Sequence, residues 1–221
     1  MYKKWLVLLL FPVFGLFGWI LWQNTQDKVA YELFISEQLA NNLAQYSSYI
    51  VTNQHIYEEI LKNKIVTPSQ LKELSEQNSF IAGTTDKYLR LAFLLGDQRA
   101  DRTGILTQNA SIIGQYFHSL EKTEQERCVK KEGISLGDKE LEHIALFSKL
   151  NQLWIKVIME ETSGVTEEKV TEDFFDSFDS ETVVRQRNWI NLFLELDEVT
   201  SQFMTKIEGS PEHIGIIVER P

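Results

Sequence analysis

The chain has 221 residues, of which 43% are hydrophobic and 24% are charged. This composition is ordinary for a globular protein and excludes wholesale disorder, and the length allows one domain or two small ones. The net charge is −10, and without Lys3 and Lys4, which precede the first apolar stretch, 20 basic side chains stand against 32 acidic ones, a balance of −12. An acidic domain repels phosphate backbones and anionic lipid surfaces, which argues against nucleic-acid binding.

The numbers of cysteine, proline and glycine residues further restrict the possible folds. Cys128 is the only cysteine, so no intramolecular disulfide can form. Four prolines and eleven glycines are few for a chain of this length. Their scarcity favours long helices over short strands joined by tight turns.

The first predicted element is a transmembrane helix at residues 5–22, after a short N-terminal stretch at residues 1–4. The run WLVLLLFPVFGLFGWILW holds no charged, hydroxyl or amide side chain, and as a helix it spans roughly 27 Å, against a hydrocarbon core of about 30 Å. Trp5, Trp19 and Trp22 lie at its ends, where indole rings prefer the membrane interface. The alternative is a cleaved signal peptide, but the residues after Trp22 offer no small-x-small cleavage site. We therefore predict an uncleaved signal anchor.

The orientation of the anchor follows from the charges beside it. Lys3 and Lys4 precede the apolar run, whereas Asp27 and Lys28 cancel each other just after it. The positive-inside rule places residues 1–4 in the cytoplasm and the rest of the chain outside. We expect a single-pass protein of the cell membrane with an extracytoplasmic domain at residues 23–208.

The anchor is predicted to continue outward as one helix roughly sixty residues long. Apolar residues recur at mainly three- and four-residue steps from Ile35 to Leu61, which is typical of a helix with one buried face. The sequence Thr67-Pro68-Ser69-Gln70 is a capping box with proline at the first helical position, and it predicts the start of a second helix. That helix should end near Gly96.

Three more helices are predicted in the second half of the domain. A third covers residues 103–121, and a polar stretch from Glu121 to Gly137, which contains Cys128, is predicted to be a loop. Asp138 is expected to cap a fourth helix that ends at Gly164, and Ser180 to begin a final helix that stops at residue 209. Residues 209–221 form a C-terminal tail. Short connections make successive helices antiparallel, so the predicted fold is all-α, an elongated antiparallel bundle of four to six helices in which the apolar stripes form the core.

The sequence contains none of the common catalytic or cofactor-binding motifs. The chain has no G-x-S-x-G, P-loop, G-x-G-x-x-G or H-E-x-x-H sequence. His55 precedes Glu58 by one turn but has no second histidine at a metal-binding spacing, and Cys128 has no base placed beside it. We therefore expect no catalytic residue, no cofactor and no metal ion, and predict that the chain is not an enzyme.

One compositional feature suggests a binding surface. The segment from Glu160 to Glu181 holds nine carboxylates and a single cation, Lys169. The alternative to a binding surface is a solvated acidic face. A partner or cation would use three carboxylates spaced by three residues and the phenylalanines among them: Asp173, Asp176, Asp179, Phe174, Phe175 and Phe178.

These observations lead to a function hypothesis. An anchored helical domain without visible chemistry suggests a binding or scaffold module that engages another envelope protein. A ligand-sensing domain that signals through a partner and an envelope enzyme of unfamiliar motif are the alternatives. The layout is similar to that of many bacterial envelope proteins, including the sensory bundles of chemoreceptors, but no motif matches and no residue role follows from the likeness.

Overall fold

The fold is given by a computed structural model, which describes residues 2–102, 104–126, 133–161 and 183–208. The side chains of residues 2–15, 17, 18, 102, 124–126, 185, 186 and 208 are outside that description. The predicted all-α class is confirmed, with five long helices packed as a bundle. In chain order the elements are α1 (Tyr2–Asn63), β1 (Ile65–Val66), α2 (Pro68–Leu94), a 3₁₀ turn (Gln98–Arg102), α3 (Ile105–Glu126), β2 (Ile134–Ser135), α4 (Asp138–Glu161), α5 (Val183–Gln186) and α6 (Asn188–Glu208).

Helix α1 is the longest element, with 62 uninterrupted residues. The prediction that residues 5–22 and the first domain helix form one continuous helix is confirmed. The bundle covers only part of it, because every side chain from Trp19 to Tyr31 is exposed and the first buried one is Ser36. Helix α1 therefore has an outer half at residues 16–35 and an inner half at residues 36–63.

Among the residues whose side chains are described, no helix is long and apolar enough to cross a membrane. Most of the predicted anchor falls outside that set, because the side chains of residues 5–15, 17 and 18 are not described. The anchor therefore stays a prediction.

The turn from α1 to α2 is built as the sequence predicts. Lys64 takes a left-handed backbone conformation with φ 56°, and the chain then reverses. The amide of Gln70 donates to the Thr67 hydroxyl at 3.2 Å, and the amide of Thr67 donates to the Gln70 side-chain oxygen at 2.9 Å. Pro68 occupies the first turn. The predicted capping box is thus confirmed.

The start of α3 is held by a residue distant in sequence. The buried carboxylate of Asp197, on α6, accepts hydrogen bonds from the amides of Gly104 at 3.1 Å and Leu106 at 2.8 Å. A carboxylate at this position satisfies amides that have no partner inside the helix and complements the helix dipole. Asp197 therefore acts as the cap of α3 from a neighbouring helix.

The predicted loop from Glu121 to Gly137 is wrong at both ends. Helix α3 continues to Glu126, because this stretch contains good helix formers and no glycine or proline. Nearer the other end, β2 pairs antiparallel with β1, with Ile65 opposite Ser135 and Val66 opposite Ile134. Residues 127–132, including Cys128, lie outside the described residues.

The boundaries of the last helices also differ from the predictions. Asp138 is the first residue of α4 rather than its cap, since the carbonyl of Gly137 accepts the bond from the Leu141 amide at 3.0 Å. Helices α5 and α6 are separated at Arg187, whose φ is 58°. The predicted helix end at Gly164, the predicted start at Ser180 and the C-terminal tail at 209–221 lie outside the described residues.

The directions of the helices follow from contacts between them. Gln38 bonds Lys87 and Glu59 bonds Gln70, so residue numbers rise along α1 as they fall along α2, and the two helices are antiparallel. In the core, Tyr46 packs against Phe193 of α6 with ring centroids 5.4 Å apart. Most residues of the predicted core stripes are buried: Leu39, Leu43, Tyr46, Ile50 and Tyr57 on α1, Leu71, Leu74 and Ile81 on α2, Leu106, Ile113 and Phe117 on α3, Leu150, Trp154 and Ile158 on α4, and Leu192 and Leu196 on α6. The prediction is wrong for Val29 and Leu33, which lie before the bundle and are exposed.

Candidate functional site

The predicted binding surface of the acidic segment is outside the described part of the chain. This applies to Asp173, Asp176 and Asp179 as well as to Phe174, Phe175 and Phe178. Of the nine carboxylates only Glu160 and Glu161, at the end of α4, are described, and Glu160 forms an exposed ion pair with Lys156 at 3.5 Å. That surface therefore stays a prediction.

A large groove lies beside α3. It has a volume of about 1670 Å³, which exceeds the roughly 300–1,000 Å³ typical of small-molecule pockets. Its lining comes from the end of α2, nearly the whole of α3, the first half of α4 and the end of α6. It exists because α3 packs closely against α2 and α6 but less closely against α4.

Apolar side chains dominate the part of the groove between α3, α4 and α6. Ile113 and Leu150 form its floor, with only 3% and 2% of their surface exposed. Phe147 and Phe203 are half-buried and stand higher in the wall. The remaining apolar residues of this part are Tyr116, Leu120, Leu146, Met204 and Ile207.

Four aromatic rings meet where α3 faces α4. The Tyr116 ring lies 5.4 Å from His143 and 5.3 Å from Phe147, and Phe117 lies 5.9 Å from Phe147, all in tilted or edge-on arrangements. Burial, and to a smaller extent the charge of Glu140, raises the pKa of the Tyr116 hydroxyl well above its usual range. Tyr116 is therefore neutral at physiological pH, and this wall of the groove is apolar and aromatic.

Charged groups stand at the end of the groove near the start of α3. Arg90 pairs with Asp86 at 3.1 Å, with both side chains largely exposed, and the exposed Asp101 lies on the neighbouring turn. A solvent-exposed pair of this kind contributes little to stability. The groove thus combines a wide apolar floor with a sparse charged rim.

The side chains of the groove are suited to binding a partner rather than to catalysis or metal binding. Among the described residues, no group of three or more His, Cys, Asp or Glu side chains is placed to hold a metal ion. His55, the histidine closest to a metal-binding spacing in the sequence, is exposed on α1 and does not line the groove. An extended apolar floor without such a cluster is suited to binding an apolar surface by burial.

The sequence prediction missed the groove because its residues belong to stripes assigned to the core. Ile113, Leu120, Phe147 and Leu150 follow the same three- and four-residue spacing as fully enclosed residues. The spacing identifies which face of a helix is apolar, but it does not show whether a neighbouring helix covers that face. No signal in a single sequence separates the two cases.

No protein-family model, no curated protein and no solved structure matches this chain.

Proposed function

We propose that the chain is a membrane-anchored helical binding module, which engages another envelope protein by receiving an amphipathic helix of that partner in the groove beside α3. The observation that supports this proposal is the groove itself, with its apolar floor and a volume of about 1670 Å³. Insertion of an amphipathic helix into a groove between helices is a common mode of protein recognition.

The length of the groove favours a helix as its occupant. Lining residues extend along α3 from Gly104 to Thr123, a distance of about 28 Å at the helical rise. Two packed helices lie 8–10 Å apart, so a helix of four to five turns fits beside α3. Its apolar residues, at three- and four-residue spacing, would lie over Ile113, Phe147 and Leu150.

Charge favours a basic polar face on the partner helix. The balance from residue 23 onward is −12, and the exposed carboxylate of Asp101 stands on the rim of the groove beside the Asp86–Arg90 ion pair. Opposite charges across an interface accelerate association and disfavour the wrong partners. The partner helix is thus expected to carry lysine or arginine beside its apolar stripe.

The anchor at residues 5–22 completes the proposed function. It would hold the domain at the cell membrane. Residues 1–4 would lie in the cytoplasm, because the positive charges of Lys3 and Lys4 favour that side of the membrane. Thirteen residues of α1 separate the end of the anchor at Trp22 from Ser36, a helical distance of about 20 Å. The groove would then stand clear of the bilayer, where a helix of another envelope protein can reach it.

Site-specific photo-crosslinking tests the proposal. A photoreactive phenylalanine analogue is placed in the full chain either at Ser119, which lines the groove, or at His118, the preceding residue on α3, whose side chain is 70% exposed and does not line it. After irradiation of intact cells, a protein crosslinked at Ser119 and not at His118 is expected. Mass mapping should locate the crosslink in a partner segment with basic residues and an apolar stripe of helical period.

Three results would contradict the proposal. Equal crosslinking from both positions would show that the groove is not the contact. A crosslink to lipid or to a small molecule at Ser119 would favour the ligand-sensing alternative. A partner segment without helical periodicity would show that the occupant is not a helix.

A further inference from the structure

Four carboxamide side chains lie together in the middle of the bundle, away from the groove. Asn53 and Gln54 are on α1, Asn78 is on α2 and Asn151 is on α4, and we call them the carboxamide layer. Asn53 and Asn78 are fully buried, and the other two are nearly so. Polar groups at such positions require an explanation, because bundle cores are otherwise apolar.

Part of the layer bonds across helices. The Asn151 amide donates to the carbonyl of Ile50 at 2.7 Å and to the side chain of Gln54 at 3.3 Å. Gln54 in turn donates to the Ser148 hydroxyl at 3.0 Å. These bonds join α1 to α4 within two turns of α1.

On the opposite side, the layer joins α1 to α2. The side-chain amide of Asn78 donates to the Tyr57 hydroxyl at 3.3 Å, and Tyr57 lies one turn after Asn53 on the same face of α1. Both neighbouring helices thus make polar contacts with the stretch from Ile50 to Tyr57.

The rest of the layer is unsatisfied. Neither the nitrogen nor the oxygen of the Asn53 amide has a hydrogen-bond partner among the described residues, and the same holds for the side-chain oxygens of Asn78 and Asn151. A buried polar group without a partner destabilises the folded state.

Apolar packing alone specifies the axial position of α1 weakly. A shift by one turn moves a helix by 5.4 Å and places each apolar residue close to where another apolar residue was. The same shift would move the Tyr57 hydroxyl away from Asn78 and would separate Gln54 from Ser148. A buried asparagine is known to fix the register of packed helices at a cost in stability.

We propose that the carboxamide layer sets the axial register of α1 against α2 and α4, at the expense of stability. The outer half of α1 projects from the bundle on the same continuous helix. The layer therefore also determines how far that half extends beyond the bundle. This inference does not depend on the groove or on its occupant.

Distance measurements between spin labels test the proposal. Glu37 on α1 and Lys72 on α2 are exposed, and they lie at different levels, since Gln38 bonds Lys87 whereas Glu59 bonds Gln70. Both are replaced by labelled cysteines in a full chain that carries Cys128→Ser. Double electron–electron resonance should give a single distance with the layer intact. The triple variant Asn53→Leu, Asn78→Leu, Asn151→Leu should add a second population displaced by about 5 Å, and its thermal midpoint should rise by about 2–4 °C.

The control is Ser47→Ala, because the buried Ser47 hydroxyl bonds the Leu43 carbonyl of its own helix at 3.0 Å and joins no other helix. It should change neither the distance nor the midpoint by a comparable amount. A single distance equal to that of the intact layer in the triple variant would overturn the proposal. A lowered midpoint would overturn it as well. If the triple variant does not fold, Asn78→Leu and Asn151→Leu are measured separately, because these two residues bond across the helices. A single distance equal to that of the intact layer in both variants refutes the idea.

Discussion

The two halves of α1 belong to one helix but lie in different surroundings. In the inner half Leu43 is fully buried, whereas in the outer half Leu33 is 43% exposed, and the nearby Phe34 is more exposed still. Side-chain hydrogen bonds differ in the same way. Thr25 in the outer half donates to its own helix, to the Leu21 carbonyl at 2.8 Å, whereas Asn42 in the inner half donates across to Tyr88 of α2 at 2.7 Å.

This difference shows that continuity of a helix and coverage of its apolar face are separate properties. The inner half buries its apolar residues against the other helices, so that its stability comes from packing. Among the described residues nothing covers the apolar side chains of the outer half to the same degree. A lipid bilayer around residues 5–22, as proposed, would supply part of the cover from outside the protein.

The largest expected effect is the difference in stability loss when a leucine of each half is replaced by alanine. Leu43→Ala should lower the free energy of unfolding by about 2–5 kcal/mol, because it removes a fully buried side chain and leaves a cavity. The matched change Leu33→Ala should alter it by less than about 0.5 kcal/mol. Urea unfolding of both variants, followed by far-ultraviolet circular dichroism, measures the contrast. Equal losses would mean that the outer half is packed as tightly as the inner half.

An intermediate effect should come from ionisation of buried tyrosines in the inner half. Burial is the largest cause that raises the pKa of Tyr46 and Tyr57 far above the ordinary value of about 10, although their hydrogen bonds with Thr85 and Asn78 oppose it. The folded state thus keeps both protons at a pH where the unfolded state loses them. Ionisation of these tyrosines should leave the free energy of unfolding unchanged below about pH 10. Above that pH the free energy of unfolding should fall by up to about 1.4 kcal/mol per pH unit for each tyrosine.

Urea midpoints measured between pH 9 and pH 11 check this dependence. Tyr57→Phe removes one of the titrating groups, so the fall above pH 10 should be less steep in that variant than in the parent chain. A slope unchanged by Tyr57→Phe would show that the hydroxyl is not protected from ionisation in the folded state.

The smallest expected effect on stability comes from removing the outer half altogether. A chain that begins at Ser36 should unfold with a free energy within about 0.5 kcal/mol of the parent chain, because none of the described side chains before Ser36 is buried. Fractionation of cells should in contrast move the shortened chain out of the membrane fraction. Retention in that fraction would argue against the anchor, and a large loss of stability would show that the outer half packs on the bundle.

Local signals in the sequence predicted most of the helices. The capping box at Thr67 and Gln70 and the glycine at position 96 are confirmed, because each acts through bonds to residues within a few positions. The break at Arg187 was not predicted, since an arginine with positive φ carries no sequence signature. The pairing of β1 with β2 was missed for a different reason, since its residues are about seventy positions apart and each strand is only two residues long.

The groove could not be predicted because it depends on the arrangement of whole helices. Phe147 and Leu150 have the spacing of core residues, and only the wider separation between α3 and α4 leaves them on a groove. The buried amides without hydrogen-bond partners could not be predicted from the sequence either. Asn53 could have faced solvent on α1, and only the packing of α2 and α4 around it makes it a buried polar group.

The cap that Asp197 provides for α3 has a consequence for synthesis of the protein on the ribosome. The carboxylate lies 91 residues after the amide of Leu106 that it binds. At translation rates of about 5–20 residues per second, the first turn of α3 emerges roughly 5–20 s before its partner exists. During that interval the exposed amides at the start of α3 can bond only to water or to a chaperone. The third long helix is therefore completed by the last one, and the bundle closes only when the C-terminal helix has been made.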